Sequence, residues 1–143
     1  MKDSKRHSSG IAAVEFLIVL PVLLLVFSAI VEFGNLFIQY NILNKSVQNA
    51  ARYSVVDLTG SINPDGIADR EAIKNMVVYG QKTIGKSSLL KGLTTDNVNI
   101  DVEGKYVFVK VIGYKYDPIF NYIPIKGFLD IELKTSSVMR TGL

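Results

Sequence analysis

Residues 10–34 read Gly-Ile-Ala-Ala-Val-Glu-Phe-Leu-Ile-Val-Leu-Pro-Val-Leu-Leu-Leu-Val-Phe-Ser-Ala-Ile-Val-Glu-Phe-Gly. Across positions 11–31 the single charge is Glu15. As a helix those 21 residues span roughly 31 Å, enough to cross a hydrocarbon core about 30 Å thick. Lys2, Lys5 and Arg6 precede the run against one acid, Asp3. On the far side come Glu32, then Lys45 and Arg52. The bias of basic residues toward the cytoplasmic side places the N-terminus in the cytoplasm and residues 32–143 outside it. In a chain of 143 residues this leaves one small domain on a membrane anchor.

A secretory signal peptide also has a basic start and an apolar stretch. Here the run is longer than an ordinary signal core, and Val31-Glu32-Phe33-Gly34 offers no small-residue cleavage site. The helical pattern also continues: Phe33, Leu36, Tyr40, Leu43, Val47 and Ala50 recur at alternating three- and four-residue steps, one stripe of a helix. The spacing predicts one helix over residues 11–56, apolar all round in its first half and amphipathic over 32–56, with Pro21 inside it. In the plainest reading it is an anchor with a helical stalk.

Charge and composition exclude several function classes. The first ten residues carry two of the three net positive charges, and no basic cluster lies beyond them, so nucleic acid is not an expected partner. There is no cysteine, and His7 is the only histidine. That removes thiolate chemistry, histidine triads and His/Cys zinc sites from residues 11–143. No metal, no cofactor and no enzymatic activity are expected.

Glu15 is costly inside an apolar segment and is a functional candidate for that reason. It sits one turn into the run, from which a side chain can simply reach the interface. A cut between Gly10 and Ile11 would instead leave a free amine on Ile11, with Glu15 four residues on and on the same helix face. The carboxylate could then pair with an amine of its own or a neighbouring chain.

The stretch Gly10-Ile11-Ala12-Ala13-Val14-Glu15-Phe16 resembles the processing site of type IV prepilins. With Leu20-Pro21, Glu32-Phe33-Gly34, Ala50-Ala51-Arg52-Tyr53 and an echo in Ser136-Ser137-Val138-Met139-Arg140, the chain resembles the TadE-type minor pseudopilins of the tight-adherence (Flp) pilus system. The resemblance is dense over residues 10–53 and sparse between 57 and 130. It implies a leader over residues 1–10, cleavage at Gly10/Ile11 by a membrane prepilin peptidase, and a role for Glu15 in subunit registration. It also implies an inner-membrane location until assembly, with other pilins or pseudopilins and the pilus assembly platform as partners. Ile11 departs from the phenylalanine common at this position in type IV pilins. The alternative is an uncleaved single-pass binding or adhesion module.

For residues 57–143 the sequence predicts an extracytoplasmic α+β domain, pilin-like if the resemblance holds. Residues 57–68 read as loop, and Asp69 caps a helix predicted over 70–86 from Ile73, Met76, Val77, Gly80 and Ile84. Beyond Gly92 the period becomes two: Val98, Ile100 and Val102 predict one strand, a turn at Glu103-Gly104-Lys105 leads to a second over 106–116, and Ile131, Leu133 and Thr135 begin a third. The sheet needs the helix stripe to complete its core.

Gly80-Gln81-Lys82-Thr83-Ile84-Gly85-Lys86-Ser87 spells a P-loop. No strand is predicted before it, and too little chain follows for a nucleotide-binding sheet, so no nucleotide is expected. Asn63, Asp65, Asp69 and Glu71 miss the calcium-loop spacing and read as a turn and a helix cap. Asp130 and Glu132 read as a solvated strand edge. Tyr114, Tyr116, Pro118, Phe120, Tyr122 and Pro124 put an aromatic or proline at every second position. These rings either cover the sheet or form an interface through Tyr116, Phe120 and Tyr122.

Overall fold

The computed structural model describes residues 4–56, 67–120 and 130–141, with side chains from residue 10 onward. Helix α1 spans Ser4–Val56, α2 spans Arg70–Tyr79, and strands β1 (Val98–Glu103), β2 (Tyr106–Lys115) and β3 (Glu132–Arg140) follow. The strands form one antiparallel sheet in the order β1-β2-β3. The arrangement is α+β, with the long helix and α2 packed against the sheet.

Helix α1 is a single 53-residue element that begins inside the expected leader and passes unbroken through Gly10 and Pro21. Extending a formed helix adds a hydrogen bond per residue, whereas starting one is costly, so residues 4–9, which include no proline, are recruited onto the apolar run. In its second half, Leu43, Val47, Ala50 and Ala51 are fully buried, as the stripe requires. Lower down the stripe holds at Leu36, half-buried against the core, but fails at Phe33, which is 68% exposed; there the buried face is rotated toward Glu32, with Asn35 and Gln39 half-buried. No bare stalk separates anchor from domain, because the domain already grips α1 at Glu32.

Helix α2 starts as expected, with the Asp69 carboxylate accepting from the Ala72 amide at 3.4 Å. It ends at Tyr79 rather than near residue 86. Gly80 adopts a left-handed φ of 74° and donates its N–H to the Met76 carbonyl, the geometry by which glycine closes a helix. Ile84, which continued the period on paper, is 76% exposed.

Val107, Val109 and Val111 on β2 point into the core beside Val98 and Ile100 of β1 and Ile73, Val77 and Val78 of α2. The β1–β2 hairpin turns through Gly104-Lys105, with Gly104 at φ 59°; a glycine first in a two-residue loop suits the twist of paired strands.

One irregularity places the functional residues. Val111 pairs with Thr135, but Tyr114 pairs with Leu133, so β2 carries one extra residue. Gly113, at φ 76°, absorbs this bulge, and its N–H donates to Glu132 Oε1 at 2.7 Å. Inward-facing positions therefore switch from odd to even numbers, and Tyr114 and Tyr116 turn toward α1.

Candidate functional site

Two groups of residues on α1 carry the candidate function. The first is the apolar segment. From Ile11 through Ile30 its large side chains project freely on every face: Ile11 is 70% exposed, Leu17 64%, Leu23 53% and Ile30 64%. None of the window of highest hydropathy in α1 is buried within the molecule. Such a surface is stable in lipid or against other apolar helices. Glu15 lies exposed on this surface, one turn beyond Ile11. Gly10 is exposed, with open space where a Cβ would stand, so a protein surface can approach the Gly10–Ile11 bond closely. That bond lies within helical backbone.

The second group is where α1 leaves the apolar run. Glu32 is only 5% exposed. Its Oε1 accepts from the Tyr116 hydroxyl at 2.6 Å and from the Ile119 N–H at 3.1 Å, and its Oε2 accepts from the Phe120 N–H at 3.3 Å. Three donors to one carboxylate make burial of the charge tolerable. The Tyr116 oxygen in turn accepts from Asn35 Nδ2 at 2.9 Å. One turn further up, Gln39 Nε2 donates to the Asp117 carbonyl at 3.1 Å, and its Oε1 accepts from the Tyr114 hydroxyl at 3.2 Å. Lys91 Nζ closes an ion pair with Asp117 at 3.0 Å. Burial first, and then the bond to Glu32, push the Tyr116 phenol from 10.0 up to about 12. Burial raises Tyr114 too, with the Asp117 charge adding to it. Both phenols stay neutral and act as donors.

This polar seam was not foreseen, since Glu32 reads in sequence as the first charge beyond a membrane segment. Its donors come from positions 84 to 88 residues away, beyond the reach of any local pattern. Of the aromatic–proline candidates, Tyr116 is buried against α1 rather than presented to a neighbour, Phe120 is half-buried, and Tyr122 lies outside the described residues.

The other motifs resolve into local structure. The P-loop spelling begins at the C-cap of α2 and is followed by bends, not by a helix. A Cβ on Gly85 would stand 3.1 Å from Tyr79 Cβ, so the loop folds back on the helix that precedes it. Asp69 is a helix cap, while Asn63 and Asp65 lie outside the described residues. Asp130 pairs with Lys115 at 2.9 Å. Glu132 holds Lys134 and the bulge amide, two contacts that pull its carboxyl below the ordinary range. Among the described residues no cluster of three or more His, Cys, Asp or Glu side chains could hold a metal ion.

Comparison with known proteins leaves the domain beyond residue 52 without a match, for no curated protein and no solved structure matches the chain. The helix is another matter: the family described as TadE-like protein matches residues 10–52, from Gly10 through Glu15 and Glu32 to Arg52, and over that stretch the chain is similar to that family.

Proposed function

We propose that the protein is a minor pseudopilin of a tight-adherence (Flp) pilus system, held in the bacterial inner membrane by residues 11–31 with its domain on the extracytoplasmic side. The family match over residues 10–52 is the observation that carries this reading. A prepilin peptidase removes residues 1–10 by cutting between Gly10 and Ile11. The bond lies in a helix, so the peptidase must unwind it locally, and glycine lowers the cost of doing so. The mature protein then enters or primes a surface-attachment filament through the assembly platform and neighbouring pilins. Its work is packing and insertion rather than catalysis.

Glu15 is the residue assigned to registration. It is the one charge on an apolar surface free on all sides. Within lipid a carboxylate seeks a cationic partner, and the amine of a processed Ile11 supplies one. Glu15→Val should leave the protein in the membrane fraction and abolish or sharply reduce piliation. Full piliation by that variant would refute the assignment. The runner-up is an uncleaved single-pass binding module, which a mature chain beginning at Met1 would favour.

A further inference from the structure

We propose that the domain sits directly on the bilayer, with the turn at Ile119 and the exposed rings of Phe33 and Phe37 seated in the lipid headgroup zone as one apolar collar. The inference rests on the reading that residues 11–31 span the membrane, and three observations lead from there to lipid as the occupant.

The span of residues 11–31 matches the hydrocarbon thickness, so Val31 marks its outer boundary. The next residue, Glu32, accepts hydrogen bonds from the Ile119 and Phe120 amides. That pins the turn at the height where the helix emerges. Close above that boundary three large apolar side chains lie more than half exposed: Ile119 at 55%, Phe33 at 68% and, one helical turn higher, Phe37 at 65%. Helical side chains lean toward the helix N-terminus, so both phenylalanine rings hang toward the bilayer rather than away from it. Aromatic residues at the point of emergence are the usual occupants of a membrane interface.

Charge is arranged compatibly. Asp117, the acid in this turn, is paired with Lys91, and Glu32 is turned inward onto its three donors, so neither offers an unpaired anion to the headgroups. Glu32 thereby acts as a height gauge. It fixes the turn against α1, and α1 fixes its own depth through the apolar run. The upper end of α1 is elsewhere, since Val56 stands 25 residues beyond Val31, roughly 37 Å along the helix.

The absence of cysteine makes the test direct. Full-length protein carrying Ile119→Cys, Phe33→Cys, Leu23→Cys or Val56→Cys would be spin-labelled and reconstituted in phosphatidylcholine/phosphatidylglycerol vesicles. Collision rates with oxygen, which partitions into lipid, and with a water-soluble nickel chelate would then be measured. All four positions are exposed, so the substitutions leave the core intact. The expected result is an interfacial profile at 119 and 33: nickel accessibility several-fold below that at 56, and oxygen accessibility between those at 56 and 23. If 119 matches 56 while 23 is lipid-buried, the domain stands clear of the membrane and the proposal fails. If 119 is shielded from both agents, a protein surface covers it, and the proposal fails in favour of a second copy. A water-accessible label at 23 would overturn the spanning reading itself.

Discussion

Removing the Glu32 carboxylate should release the Tyr116–Phe120 turn without unfolding the helix or the sheet. The carboxylate accepts from one hydroxyl at 2.6 Å and two amides at 3.1 and 3.3 Å, and a hydrogen bond to a charged group contributes about 1.5–3 kcal/mol net. The three contributions do not simply add. Ile119 is 55% exposed, so its amide and that of Phe120 rehydrate once freed, whereas the buried Tyr116 hydroxyl loses its 2.6 Å carboxylate acceptor and keeps only the longer bond to the Glu32 carbonyl at 3.2 Å. Glu32→Ala is therefore expected to cost about 2–4 kcal/mol of local stability, with the Tyr116 bond the larger part. Amide hydrogen exchange at Ile119 and Phe120 reads this locally, and each 1.4 kcal/mol lowers protection by about tenfold. A double-mutant cycle of Glu32→Gln with Tyr116→Phe isolates the shortest bond, and its coupling should exceed about 1 kcal/mol. Unchanged protection at both amides in Glu32→Ala, or a coupling energy near zero, would refute the reasoning.

The Tyr116 phenol, held up to about 12, stabilises the fold in its neutral form. Because its folded pKa lies above the unfolded value of 10.0, that contribution is complete below pH 10 and lost as pH climbs through 12. Unfolding followed by tyrosine fluorescence should thus show a steeper alkaline loss in the parent protein than in Tyr116→Phe. Gly113→Ala places a Cβ at φ 76° and 3.6 Å from Asn97 Nδ2, and should destabilise the domain by about 1–2 kcal/mol in urea unfolding in detergent. Leu43→Ala, at a fully buried position of α1, should cost about 2–5 kcal/mol in the same assay while far-ultraviolet circular dichroism of the apolar helix is retained.

Where local physics decided the structure, the sequence was readable. The apolar run around Glu15, the alternation of Val107, Val109 and Val111, the Asp69 cap and the turn at Gly104 all became what their patterns implied. Period alone is a poor guide at two places. Period alone carried α2 past Gly80 to Ile84, although a left-handed glycine is sufficient to stop a helix. Period alone would likewise have pointed Gly113 and Lys115 inward, whereas the bulge brings in Tyr114 and Tyr116. The seam at Glu32 had the faintest signal, since its donors come from the far end of the chain and depend on that same bulge. The hydrophobic stripe aimed the lower helix at Phe33, because an apolar pattern cannot anticipate a carboxylate buried by three donors. Gly10 and Glu15 are candidates through motif resemblance, not through packing.

The proposed prepilin-type cut, between Gly10 and Ile11, falls at the start of the stretch that matches the TadE-like family. The most direct test is the mature N-terminus of the membrane-bound protein, by intact mass and N-terminal peptide mapping, with and without the cognate prepilin peptidase. The predicted result is a start at Ile11 that depends on the peptidase, which also supplies the amine that Glu15 would pair with. A start at Met1, under conditions where the peptidase cleaves a major pilin of the same system, would contradict it and leave a membrane-anchored module whose Glu15 is an interfacial carboxylate.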